Sequence, residues 1–238
     1  LTNGALDTTF GSGGKLTTNI GTADDIVYGL VVQSDGRIVV AGYAHNGSNF
    51  DFALARYLPN GALDTTFDGD GKLTTDFGGA DNQANGLALQ SDGKIVVVGY
   101  SSLGGNTEFA MARYNVNGTL DTKFDADGKL TTTFGTSTAV ATSAVVQNDG
   151  RIVAAGYAHN GSNHDFALAR YSENGAYETL SSNGLGFDID PNELGSGQLV
   201  QGPGGAFDGL NRLQVNGANY GPTAFQTWKP TWDRSRAT

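Results

Sequence analysis

Cysteine is absent from the 238-residue chain, which removes disulfides, thiol catalysis and cysteine-ligated zinc and leaves the redox compartment open. Basic residues are scarce. Fourteen Lys and Arg face 24 Asp and Glu, a net charge of −10, so phosphate backbones and anionic membrane surfaces are repelled on average and nucleic acid is not an expected partner. No apolar run reaches the roughly 18 residues that a spanning helix needs, and no membrane insertion is expected. Standard catalytic signatures are missing too: there is no Gly-x-Ser-x-Gly, no His-Glu-x-x-His, no Walker loop and no Gly-x-Gly-x-x-Gly opening a helix. Nor does a charged-then-apolar leader open the chain at Leu1, which begins inside a repeat; the expectation is a piece of a longer polypeptide whose signal or anchor lies elsewhere.

What is abundant is glycine. Thirty-six Gly against 5 Pro, with 38% hydrophobic and 10% aromatic residues, describe a turn-dense all-β protein rather than one of long helices. The chain is also strongly periodic. Asn3-Gly4-Ala5-Leu6-Asp7-Thr8-Thr9-Phe10 returns at 60–67 and, with two changes, at 117–124, an offset of 57 residues each time. Asp35-Gly36-Arg37-Ile38-Val39-Val40 returns at 92–97 and 149–154, and Phe52-Ala53-Leu54-Ala55-Arg56-Tyr57 at 109–114 and 166–171, again at 57. Residues 41–57 and 155–171 differ only at Phe50 against His164, which marks a recent duplication.

Each period holds four strand-like segments, for example 26–33, 37–43, 52–57 and 72–77, bounded by turn residues. Asp35-Gly36 supplies the positive φ of a tight hairpin, and the longer connection over 58–71 carries two apolar anchors, Leu63 and Phe67. Four antiparallel strands that cannot bury both faces alone, repeated in tandem, predict stacked blades of a partial β-propeller. The β-branched runs at 37–40 and 94–98 disfavour helical repeats.

The combined pattern Asp-Gly-Lys/Arg-Ile-Val-Val-x-Gly-Tyr, Phe-Ala-Leu-Ala-Arg-Tyr and Asn-Gly-x-Leu-Asp-x-x-Phe-Asp-x-Asp-Gly-Lys resembles the delta-60 repeat family of bacterial β-propellers over about three-quarters of the chain. That resemblance implies a propeller in a secreted or cell-surface bacterial protein with no defined enzymatic activity. Residues 1–189 are expected to form three repeats, preceded by the fourth strand of an earlier blade; 185–189 falls where the last fourth strand is due. A ring of about four to eight blades then needs further blades or a second chain to close. Residues 190–238, with Gly202-Pro203-Gly204-Gly205 and a strand-like 211–215 ended by Asn216-Gly217, read as a truncated second β domain or a capping tail.

Four groups of residues invite a functional reading. Asp68, Asp70, Asp125 and Asp127 lie in Asp-x-Asp-Gly turns that could offer carboxylates to calcium; the preferred reading is a plain turn, because the first copy has Gly11-Ser12-Gly13-Gly14 there, and no cofactor is expected. His45, His159 and His164 read as exposed loop residues rather than as ligands or acid–base groups. Arg56, Arg113 and Arg170 could line an anion or sugar groove, but alternation places them beside Asp64 and Asp121 as inter-strand ion pairs. Tyr43, Tyr100 and Tyr157, taken as exposed loop aromatics, with Trp228 and Trp232 in the tail, are the candidates for a carbohydrate platform, packing being the alternative. The functional expectation is a non-enzymatic scaffold for protein or glycan binding or display. A propeller enzyme acting on polysaccharide and a passive spacer in a large adhesin remain the alternatives.

Overall fold

The computed structural model describes residues 4–135 and 138–175 and, further on, the backbone of two short strands. Two compact units are distinguished, Leu1–Tyr177 and Glu178–Thr238. In the first unit β1 (Asp25–Val32), β2 (Ile38–His45), β3 (Phe50–Tyr57) and β4 (Lys72–Thr75) form one antiparallel sheet in chain order. The second sheet repeats it with β5 (Asn82–Leu89), β6 (Ile95–Leu103), β7 (Asn106–Tyr114) and β8 (Lys129–Thr132). The third contains β9 (Ala139–Val146), β10 (Ile152–His159) and β11 (His164–Tyr171). In the second unit β12 (Leu213–Val215) and β13 (Ala218–Tyr220) pair antiparallel. No helix occurs among the described residues.

Local chemistry explains the strand ends. At the first hairpin Gly36 takes φ 82° while the Asp35 carboxylate accepts the Arg37 amide at 3.0 Å, and the Asp-Gly turns of the other two sheets do the same. The sheets then stack through faces of unlike size. Phe52, Leu54 and Phe67, all fully buried, fill the space against Ala84, Val97 and Ala112 of the next sheet. Phe109, Met111 and Phe124 meet Ala141, Ala154 and Ala169 in the same way. Large residues on the outgoing face and small ones on the incoming face let the sheets interdigitate, each buried Phe or Leu contributing roughly 1.5–3 kcal/mol. Of the expected loop anchors, Phe67 is fully buried and Leu63 is half-buried and bridged to Tyr57.

The expected N-terminal fourth strand needs correcting: residues 15–18 form no strand, and the nearest ladder contact is an isolated bridge from Gly11 to Lys15. The reason is that β4 and β8 are held along β3 and β7, whereas among the described residues no third strand lies beside 15–18. The segment still docks where such a strand would. Thr18 accepts the Tyr57 hydroxyl at 2.7 Å, as Thr75 accepts that of Tyr114, and Thr132 lies 2.7 Å from the Tyr171 hydroxyl. Likewise Gly11, Asp68 and Asp125 each donate their amide to Asn60, Asn117 and Asn174 of the following repeat at 2.8, 2.8 and 3.0 Å. The segment expected to supply the last fourth strand, 185–189, lies outside the described residues.

Arginine ties the repeats together, through a strand-to-loop pair rather than an inter-strand one. Arg56, 3% exposed, donates from Nε to Asp64 at 2.8 Å and from Nη2 to Thr66 at 3.0 Å, stacks 4.7 Å above the Phe67 ring, and reaches from Nη1 to the Val116 carbonyl of the next repeat. Arg113 does the same with Asp121, Phe124 and the Glu173 carbonyl. Burial alone would raise the Asp64 carboxyl, but the Thr66 hydroxyl and amide and the Arg56 and Arg37 guanidiniums bring it down to about 2.

Two outcomes follow for stability. Arg37 also touches Asp64 at 2.8 Å, while its counterpart Lys94 is engaged by Asp92, so Asp121 depends on Arg113 more than Asp64 depends on Arg56. Arg113→Met is therefore expected to cost about 3–5 kcal/mol, the usual result of orphaning a buried charge, and Arg56→Met less, as read from urea midpoints. The Asp64 carboxyl lies lower in the folded chain than in the unfolded one, so its contribution is present above about pH 4 and is lost as pH falls toward 2. Asp64→Asn should flatten that acid limb by about 2 kcal/mol in pH-dependent unfolding.

Candidate binding surface

The recurrent Gly-Tyr pair on the second strand has a backbone cause. A Cβ at Gly42 would lie 1.8 Å from the Ile26 carbonyl oxygen, at Gly99 1.8 Å from that of Gln83, and at Gly156 2.0 Å from that of Val140. Only glycine admits this approach, which coincides with a bulge in the first strand of every sheet: pairing skips Tyr28, Asn85 and Thr142. First strands of successive sheets lie beside one another, β1 with β5 and β5 with β9, so the sheets fan outward from them. The bulged residues therefore sit on the inner strands, where the repeat is least uniform. Asn85 uses its place to donate from Nδ2 to the Ala141 carbonyl of the next sheet at 2.9 Å, and Thr142 donates to Ala155 at 3.2 Å.

Tyr28, a bulged residue more than half exposed, lies with its ring centroid 5.8 Å from that of Tyr43, which in turn meets Phe50 at 4.7 Å. Tyr43, Tyr100 and Tyr157 are not loop residues, as the sequence suggested, but lie within β2, β6 and β10, each following the glycine that fits under the bulge. Tyr43 and Tyr100 are half-buried and Tyr157 is 37% exposed. They are close enough to influence one another. Burial first, then the Asp81 carboxylate and the Tyr28, Tyr157 and Tyr43 phenols, push the Tyr100 phenol up to about 12. Burial, Tyr28 and Asp24 raise that of Tyr43. The first sheet thus offers a paired Tyr28–Tyr43 surface, matched by Tyr100 and Tyr157 on the next two sheets and edged by Asp24 and Asp81, and the latter carboxylate also accepts the Phe50 amide at 3.1 Å. Phenol rings offer flat faces to the apolar side of a sugar, and carboxylates accept its hydroxyls.

The other candidates separate. Asp70 and Asp127 accept the Lys72 and Lys129 amides at 2.9 and 2.8 Å, closing their own turns. Asp68 and Asp125 adopt φ 50° and 47°, and burial and the neighbouring Asp70 and Asp127 raise both carboxyls. Among the described residues no three histidine or acidic side chains converge as a metal site would require. The histidines are strand ends, not loop residues: His45 closes β2, and His159 and His164 face each other across the β10–β11 hairpin with rings 5.2 Å apart. Arg56 and Arg113 are committed to the ion pairs above. Trp228 and Trp232 lie outside the described residues.

Sequence reasoning missed Tyr28, Asn85, Thr142, Asp24 and Asp81. One signal was available: the first strand differs most between copies, and the bulged place, Tyr28, Asn85 and Thr142, is one of the columns that differ in all three. The tract makes a prediction of its own. Asp81→Asn removes a negative charge that disfavours phenolate, so the Tyr100 midpoint should move down from about 12 toward the ordinary phenol value, as read by pH titration of ring-carbon NMR signals.

Comparison with known families matches residues 33–67, 90–124 and 147–178 to a family model described as a domain of unknown function (DUF5122) beta-propeller. No curated protein matches the chain. Three matches whose starts are 57 residues apart, laid over three stacked antiparallel sheets, make this a β-propeller repeat chain.

Proposed function

We propose that the chain is a non-enzymatic scaffold of a secreted or cell-surface bacterial protein, and that its tyrosine tract binds glycan or an extended protein segment. The observation carrying this reading is the ring pair of Tyr28 and Tyr43, 5.8 Å apart and extended by Phe50 at 4.7 Å, with Tyr100 and Tyr157 at the matching places of β6 and β10. Aromatic platforms with nearby hydrogen-bond acceptors suit neutral sugars, and the net charge of −10 disfavours acidic polymers. The resemblance of the repeat motifs to the delta-60 family supports the extracellular, bacterial setting. The uniform Arg–Asp ties favour a rigid frame over a moving enzyme, and no bound ion or cofactor is part of the proposal.

Screening of the chain against an array of neutral glycans, followed by NMR titration of the best hit, tests the proposal. Tyr43→Ala and Tyr100→Ala are each expected to weaken binding about tenfold or more, which is 1.4 kcal/mol or more, while Tyr114→Phe in the core leaves it unchanged. Absence of binding to every glycan and peptide offered would support a passive spacer. Release of new reducing ends from a bound polysaccharide would replace the scaffold by an enzyme.

A further inference from the structure

The tip of the β2–β3 hairpin, Asn46-Gly47-Ser48-Asn49, and that of the β10–β11 hairpin, Asn160-Gly161-Ser162-Asn163, are built alike. In the first, the Gly47 amide donates to Nδ1 of His45 at 3.1 Å. Asn46 accepts the Ser48 and Asn49 amides on Oδ1 at 2.9 and 3.1 Å and donates from Nδ2 to Asp51 at 2.8 Å. In the second, the Gly161 amide donates to Nδ1 of His159 at 3.1 Å. Asn160 accepts the Ser162 and Asn163 amides on Oδ1 at 2.9 and 3.0 Å and donates to Asp165 at 2.7 Å. The second repeat has Ser102-Leu103-Gly104 at these places and lacks both the histidine and the asparagine.

Other asparagines that precede glycine use the glycine amide differently. At Asn60-Gly61, Asn117-Gly118 and Asn174-Gly175 it donates to the Leu58, Asn115 and Ser172 carbonyls at 2.9, 2.9 and 3.0 Å, closing a turn. Asn85-Gly86 lies within β5. A carbonyl oxygen holds such an N–H without taking its proton, whereas an imidazole nitrogen that accepts a hydrogen bond is also a base. Asn46 and Gly47 are exposed, and the nearest atom that a Cβ at Gly47 would meet is Thr22 Oγ1, 3.8 Å away. The glycine nitrogen is therefore unhindered and within reach of water.

We infer that Asn46 and Asn160 are self-modifying sites, each converted to aspartate and isoaspartate through a cyclic imide whose closure the preceding histidine promotes as general base. As the Gly47 nitrogen adds to Cγ of Asn46, its proton passes to His45 Nδ1, and the negative charge that develops on Oδ1 is met by the Ser48 and Asn49 amides already directed at it. The Cγ–Nδ2 bond then breaks, and ammonia leaves with the proton that the imidazole returns. Water opens the ring on either side: cleavage between Cγ and the Gly47 nitrogen leaves aspartate, and cleavage of the original main-chain bond leaves isoaspartate. Amide and water give acid and ammonia, once per site. The new carboxylate at position 46 has no N–H for Asp51, which is 5% exposed, and repels it. The change thus loosens a hairpin whose Asn49 holds the Gly79 and Ala80 carbonyls of the connection to the next sheet at 2.8 and 3.3 Å.

The full chain, incubated in heavy-oxygen water and digested, reports the conversion of each asparagine by mass spectrometry, the label marking what formed during the incubation. Asn46 and Asn160 should convert about 100-fold faster than Asn60 and Asn117, the lower end of a general base's usual effect, with isoaspartate among the products. In urea the four rates should converge. His45→Phe keeps a ring beside that of Phe50, 5.1 Å away, and His45→Gln keeps a hydrogen-bond acceptor without a base. Each should slow Asn46 to the rate of Asn60 while Asn160 in the same chain stays fast. Equal rates at the four sites of the folded chain overturn the inference, as does aspartate formed without isoaspartate. Faster conversion of Asn46 in either variant would make His45 a clasp that orders the loop, and an undiminished rate in His45→Gln would make it an acceptor only; either result also overturns it.

Discussion

Arg56 and Arg113 each bind a carboxylate in their own repeat and a carbonyl in the next, and the stacking of the sheets depends on that double attachment. The guanidinium is suited to it: its planar fork of donors serves Asp64 and Thr66 on one side and Val116 on the other while its face covers Phe67. A lysine could supply the charge but not three directed bonds and a stacked plane. Around this tie the remaining contacts repeat with the same offset, the Tyr–Thr hydroxyl pair at one edge of the sheet and the Asn carbonyl at the loop. Stability in such an array accumulates from nearest-neighbour contacts, so a break in one tie weakens one interface rather than the whole.

That regularity divides the molecule. Outer strands and loops carry the ties and stay alike, while the first strands, freed of those duties, differ between repeats. The candidate binding tract lies at this boundary: the uniform Gly-Tyr pair of the second strand is placed by the bulge of the variable first strand. Tyr28 gives the first sheet an additional ring that Asn85 and Thr142 do not repeat, which makes the tract asymmetric even though Tyr43, Tyr100 and Tyr157 recur.

Much of the fold was legible because the period repeats both strand patterning and turn chemistry. Asp35-Gly36 and its copies announced hairpins, Phe67 announced a buried anchor, and Arg56 announced its Asp64 partner. What could not be read depends on approach between segments distant in sequence. The reason for Gly42 is a carbonyl on another strand, and Tyr43, the last residue of the strand expected over 37–43, read as the start of a loop although β2 continues two residues further, to His45. How far apart the three tyrosines stand depends on how tightly the sheets fan, a property no single repeat encodes. Residues 15–18 carry the pattern of a strand without being one, since a ladder requires a neighbour as well as a suitable sequence.

A bulge leaves one residue per sheet without a cross-strand partner, so its identity is released from the pairing rules that govern the rest of the strand. Tyr, Asn and Thr at these three places are three solutions tolerated by one backbone. Inheritance can therefore vary the chemistry of the inner wall one side chain at a time, and duplication of a whole repeat copies the frame while the first strand, its bulged place included, diverges.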